Sequence, residues 1–278
     1  MEKYILNKYI VVIFVLFFSE YFFCQQATMV YGLTLKPSTN KKDTISSKFY
    51  YLDILNQESV FRSEFRRHSD SIIHYRGRYG FGYNTNFNDQ IYIKKDLKNK
   101  KIQKYVVTPF STDKFYIKIS EPITWKVYSD AKKIGDFNCQ KAETDYGGRH
   151  WTAWFTQDIQ IPEGPYVFNG LPGLIVQISD EKGDYIFKLA QIRKLNDNSI
   201  FATPGGGNEI NWEEFKKIQQ NYYNDPFSYA RLKNIGISQD DGQGGAKKAD
   251  LREWTLKTRE YIKKFDNVIE LNQKVDYK

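Results

Sequence analysis

The sequence predicts a mainly β protein with some α: an antiparallel sheet, curved toward a half-open barrel, followed by C-terminal amphipathic helices. Three observations lead there. The chain holds 21 Tyr and 20 Phe among 278 residues, and aromatic side chains favour pleated, half-buried surfaces. From residue 47 to 193 short aromatic or β-branched runs alternate with polar turns, as in an antiparallel meander. Near Thr203 the apolar spacing changes to a helical period.

Taken in order, the N-terminus reads as a secretory signal over residues 1–24. Lys3 and Lys8 flank its start, and Tyr9 to Phe18 is an apolar run of h-region length closed by Glu20. That run falls short of the roughly 20 residues a membrane span needs. Cleavage is expected near Cys24, and Tyr21, Phe22 and Phe23 before it argue against a lipid anchor. A β domain is then expected over 25–202. Its runs are Lys48 to Leu55, Val60 to Phe65, Ile72 to Arg78, Gln90 to Lys95, Gln103 to Val107 and Phe115 to Ile119. Thr124 to Tyr128 and His150 to Phe155 read as the next pair. Leu174 to Ser179 and Tyr185 to Arg193 face each other across a Gly-containing loop, which predicts a hairpin.

Between the last two pairs the chain is dense in Pro and Gly. Pro162 and Pro165 bracket Gly164, which forbids helix and predicts a rigid extended arch, with Ile159, Ile161, Tyr166, Phe168 and Leu171 as apolar plugs. Leu171-Pro172-Gly173-Leu174 predicts a type II turn, with Pro fixing φ and Gly supplying a positive φ. Residues 203–278 bring Gly-rich hinges and two helices. Asn211-Trp212-Glu213-Glu214 and Asp250-Leu251-Arg252-Glu253 are capping-box patterns. Each precedes an apolar stripe that the sheet is expected to cover.

Charge and chemistry narrow the function. The formal net charge is +8, and loss of residues 1–24 leaves it unchanged. Lys94, Lys95, Lys98, Lys100, Lys101 and Lys104 cluster, a pattern expected of a solvated hairpin end rather than a nucleic-acid site. After cleavage only Cys139 remains, so no internal disulfide is expected and the thiol is read as a small buried hydrophobe. Three histidines and one cysteine at these spacings build no metal site, and no nucleotide-binding or hydrolase motif is present, so neither metal nor cofactor is expected. The strand through Arg149 alternates: Trp151, Ala153 and Phe155 take a core face, while His150 and Trp154 take the other. Arg149, His150 and Trp154 are therefore the candidate binding residues.

The segment Gly148-Arg149 with Ala153-Trp154, then Gly164-Pro165, Phe168 and Gly170-Leu171-Pro172-Gly173-Leu174-Ile175, resembles the signature of the GLPGLI family of secreted proteins of Gram-negative bacteria. Trp125-Lys126-Val127, Cys139-Gln140-Lys141-Ala142, Asp180 and Asn267-Val268-Ile269-Glu270-Leu271 are similar to further family blocks, with Val268 in place of a proline. The resemblance implies export to the periplasm or beyond. It carries over no catalytic residue, because the family has no established activity. The expectation is a non-catalytic binding or carrier protein whose concave aromatic sheet takes an apolar small molecule or peptide. The alternative is an envelope hydrolase using carboxylates or His150.

Overall fold

In the computed structural model, which describes residues 26–39, 45–76, 86–195 and 207–277, alternation of apolar and polar residues sets the architecture. The expected signal segment and the hinge glycines Gly205 and Gly206 lie outside those residues. The first half of the sheet is β1 (Gln26–Leu35), β2 (Ser46–Leu55), β3 (Glu58–Ser63), β4 (Tyr92–Asp96), β5 (Lys101–Val107) and β6 (Lys114–Lys118). The second half is β7 (Lys126–Ile134), β8 (Phe137–Tyr146), β9 (Arg149–Thr156), β10 (Leu174–Asp180) and β11 (Tyr185–Lys194). Each half is an antiparallel meander, and β1 pairs with β11 from Ala27↔Lys194 to Leu35↔Tyr185 to join them. A short β12 (Asn208–Ile210) adds in parallel to β6, so among the described residues the sheet has twelve strands and does not close into a barrel.

One face of this sheet carries Met29, Tyr31, Leu33, Leu52, Phe61, Ile93, Trp151, Ala153, Ile178 and Phe187, all buried. The arch between β9 and β10 folds back onto that face. Tyr166, Val167, Phe168 and Leu171 lie in the same core, with Ile159 and Ile161 packed at its margin, as the apolar plugs were expected to be. The concavity expected to receive a ligand is thus filled by the chain itself. The arch is also tied down electrostatically. Lys95 and Glu163 are both buried, and the ammonium donates to Glu163 Oε2 (2.5 Å), Gly164 O (3.0 Å) and Phe168 O (3.3 Å). Three donors meet three acceptors, the condition under which a buried charge is tolerated. So part of the lysine cluster read as a solvated hairpin end points inward instead.

The helices cover the sheet in two places. α1 (Glu64–Arg76) lies against the opposite face of β2 and β3, where residues 72–78 were expected to form a strand. The Ser63 hydroxyl accepts the Arg66 N–H (3.2 Å) and opens the helix. Arg62, Arg66 and Arg67 then meet Asp53 and Asp70, with Arg62–Asp53 at 3.2 Å and Arg67–Asp53 at 2.9 Å. These ion pairs outweigh the β preference of Ile72 and Ile73. At the other end, α2 (Trp212–Asn224) starts at a complete capping box on Asn211 and Glu214. Its Phe215, Tyr222 and Tyr223 pack with Phe87, Val106 and Ile117, together with Ile262 of α4 (Leu251–Lys264), which the short α3 (Ser228–Leu232) precedes. Asp250 caps α4 by accepting from Arg252 N and Glu253 N.

Two further expectations are corrected. Residues 124–128 and 150–155 do not pair with each other: β8 lies between them, bonded to both β7 and β9. Gly173 has φ of +157°, far from the roughly +80° of a type II turn. Its N–H bonds Leu171 O (2.7 Å) in a three-residue turn at Pro172, and Leu174 N donates to Ile159 O (3.1 Å). The reason for glycine is proximity, since a Cβ there would sit 2.0 Å from Thr156 O. Gly173→Ala is accordingly expected to lower stability by about 2–4 kcal/mol through backbone displacement at the β9–β10 crossing. Chemical denaturation of the two proteins measures it, and an unchanged midpoint would remove the close-approach explanation.

Candidate functional site

Arg149 stands at the first position of β9 with its side chain turned into the molecule. Nε donates to Ile269 O (3.0 Å), and Nη2 to Asn267 Oδ1 (2.6 Å) and Val268 O (2.7 Å). Nη1 donates to Asp180 Oδ2 (2.6 Å) and reaches Asp184 Oδ2 (3.5 Å), while the guanidinium lies 4.8 Å from the Tyr185 ring centre. Five N–H donors therefore meet five oxygens of the chain. Arg149 is a clamp between β9, the β10–β11 hairpin and the C-terminal segment, not a residue presented to a ligand. Beside it, Glu270 accepts from Lys104 Nζ (2.8 Å) and Tyr146 OH (3.2 Å) and also from Tyr166 OH, which joins the same C-terminal segment to the arch.

His150 and Trp154 project to the other side, as the alternation requires. The His150 side chain is 42% exposed, its Nδ1 is 2.7 Å from Asp145 Oδ1, and its Nε2 is 3.6 Å from Glu143 Oε2. The hydrogen bond to Asp145 raises its pKa. Hydrogen bonds from Lys141 and Tyr128 hold Glu143 down at about 2. Lys132 Nζ stands 3.9 Å from the centre of the Trp154 ring. This is an open sheet surface of paired charges. A proton relay so exposed lacks the water-excluded setting that makes acid–base chemistry efficient. Cys139 lies on this side too, buried, with its thiol pKa pushed up by burial, as expected of a packed hydrophobe.

A better-formed site lies at the rim of the first meander, where sequence reasoning singled out nothing. β3 leaves the sheet at Ser63 to become α1, and its ladder with β4 stops at Arg62↔Tyr92. Before β4, the Gln90 side chain stands in for a strand: its Oε1 accepts from Val107 N (2.8 Å) and its Nε2 donates to Val107 O (2.9 Å). The gap left between the departing strand and β5 is a cavity of about 300 Å³. Tyr50, Phe65, Tyr92 and Tyr105 supply aromatic wall, and Ile91, Val106 and Val107 aliphatic wall. Lys48, Arg66 and Lys114 line it with one carboxylate, Asp89, which pairs with Lys48 at 3.5 Å. The cavity has no signature because its wall is assembled from separate segments spread between Lys48 and Lys114. Among the described residues no cluster of His, Cys, Asp and Glu is arranged to hold a metal ion.

Two outcomes test this description. Arg149→Met leaves Asp180 buried without its partner, and a loss of about 3–5 kcal/mol is expected. Limited proteolysis should then cut near residues 267–270, and an intact C-terminus in the variant would contradict the clamp. His150 should titrate above the ordinary imidazole value of about 6.5. Its pairing therefore favours the fold below that pH, and the benefit fades as pH rises through the higher folded value. Proton NMR of the imidazole should place the midpoint there, and Asp145→Asn should bring it back down.

Comparison with known proteins bears on the central segment. A family model described as a protein of unknown function, Porph_ging, matches residues 146–177, from the last residue of β8 to the middle of β10. No curated protein matches the chain. Two solved structures are similar in shape at a TM-score of 0.48: PNGF-II in the C2 space group, at 15% identity, and PNGF-II in the P21 space group, at 14%. The match covers 70% of this chain but 32% and 33% of those, so the chain spans about a third of their length. A likeness at that level bears on neither mechanism nor ligand. The 146–177 match falls on the residues that hold Arg149, the arch and Gly170 to Ile175, and it agrees with the resemblance of that segment to the GLPGLI-type family.

Proposed function

We propose that this protein acts by binding rather than by catalysis, as an exported periplasmic or secreted carrier that holds an apolar small molecule in the rim cavity. The observation that supports this most is the aromatic lining of that cavity, formed by Tyr50, Phe65, Tyr92 and Tyr105. Its volume, about 300 Å³, is at the lower end of the range for small-molecule sites, roughly 300–1,000 Å³. On the inner face of the sheet, Tyr166, Val167, Phe168 and Leu171 of the arch pack into the core instead. The hydrolase alternative draws on His150 and Asp145, whose exposure argues against it. Export is supported by Lys3, Lys8 and the apolar run Tyr9 to Phe18.

The test is a fluorescence titration with N-phenyl-1-naphthylamine, a neutral apolar probe. Saturable binding is expected. Phe65 lines the mouth and is 58% exposed, so Phe65→Ala should weaken binding about 5–10-fold while leaving the unfolding midpoint nearly unchanged. A native protein with no saturable uptake of the probe would sink the proposal.

A further inference from the structure

We infer that the occupant of the rim cavity is an apolar molecule carrying one carbonyl-type oxygen, which accepts a hydrogen bond from the Tyr50 hydroxyl. This rests on the binding reading above and adds the polar group of the ligand. Tyr50 is 1% exposed, and its ring stacks on Phe61 in the main core, 5.4 Å between ring centres. The same side chain lines the rim cavity. Pairing of β2 with β3 at Tyr50↔Ser63 fixes its backbone, and Ser63 is itself a wall residue.

Burial, and then the carboxylate of Asp89 in the same wall, raise the Tyr50 pKa. The proton therefore stays on the oxygen in ordinary buffers, and the group is a hydrogen-bond donor. Among the described residues that hydroxyl has no hydrogen-bond partner. The other tyrosines of the wall differ: Tyr92 OH donates to Asp70 Oδ2 (3.0 Å), and Tyr105 OH reaches Gln103 Oε1 (3.5 Å). The Gln90 amide is likewise engaged at both ends by Val107. A buried donor is costly to leave unpaired once water is expelled. Water can meet it in the free protein, so a ligand that fills the cavity must offer an acceptor in exchange. A pure hydrocarbon would strand the O–H. A ligand donor would meet only the phenol lone pair, with the same result. Phe65, 58% exposed, marks the mouth and Tyr50 the interior, so the rings of the ligand lie outward and its oxygen inward.

The experiment displaces N-phenyl-1-naphthylamine from the full chain with a matched pair, 2-acetylnaphthalene and 2-ethylnaphthalene. These differ only by a carbonyl in place of a methylene. Affinities are compared between the native protein and Tyr50→Phe, so the unequal hydrophobicity of the pair cancels. Tyr50→Phe is expected to weaken the ketone about 5–10-fold and to change the hydrocarbon less than about twofold. The variant keeps the ring on Phe61 and loses no bond within the chain, so its unfolding midpoint should be unchanged or higher. Phe65→Ala should weaken both compounds, which ties both to this cavity. Three results overturn the inference: equal effects of Tyr50→Phe on the two compounds, a ketone that fails to displace the probe or ignores Phe65→Ala, or a lower unfolding midpoint in Tyr50→Phe. In those cases uptake of the probe by the native protein still supports the binding reading. If the probe itself does not bind, both fail together.

Discussion

The buried pair between Lys95 and Glu163 governs how the rest of the molecule is arranged. Lys95 comes from β4 in the first meander, and Glu163 from the arch that belongs to the second. Their bond, together with the two arch carbonyls on the same ammonium, seats the arch against the inner face. Once seated, it brings Tyr166, Val167, Phe168 and Leu171 into the core on that side of the sheet. Burial lowers the Lys95 pKa and the facing carboxylate opposes that effect. An isolated charge in that position would be untenable, so either partner alone is worse than none.

With the inner face packed, the proposed ligand site lies at the sheet margin. The rim cavity arises because β3 turns out of the sheet at Ser63 and the Gln90 amide replaces the missing strand contact. The same departure carries Arg66 and Arg67 over the outer face, where they join Arg62. The cavity lining and the arginine–aspartate cluster are thus two results of one change of direction in the chain.

Much of the fold was legible in the sequence, and the failures have identifiable causes. β9, β10 and β11 alternate clearly, and Asn211 with Glu214 forms the capping box its spacing announced. β1 escaped notice beside the signal-like segment, although Met29, Tyr31, Leu33 and Leu35 alternate inward. β8 is largely polar on its outer side, at Lys141, Glu143 and Asp145, which hides the apolar positions Ala142 and Tyr146. Composition placed glycine at position 173 correctly but for the wrong reason, because a carbonyl on a neighbouring strand leaves no trace in local sequence. The site was least legible. Arg149 was chosen for its motif, yet its role depends on Asp180, Asn267 and Ile269, up to 120 positions away. Blocks of the motif that are scattered along the chain converge on that one guanidinium.

The seam between β1 and β11 has a consequence for how the sheet comes to exist. Leu35 and Tyr185 face each other across about 150 positions, and every other pair in that ladder is more distant in sequence. Loop closure on that scale must precede any gain from the contacts it creates, which places the seam among the slow, non-local steps of β assembly. Among the described strands, β1 stands first in the chain yet is among the last to be paired on both sides. Until β11 arrives, β1 keeps one ladder of hydrogen-bonding groups open, and the nascent protein carries an adhesive edge through most of its synthesis.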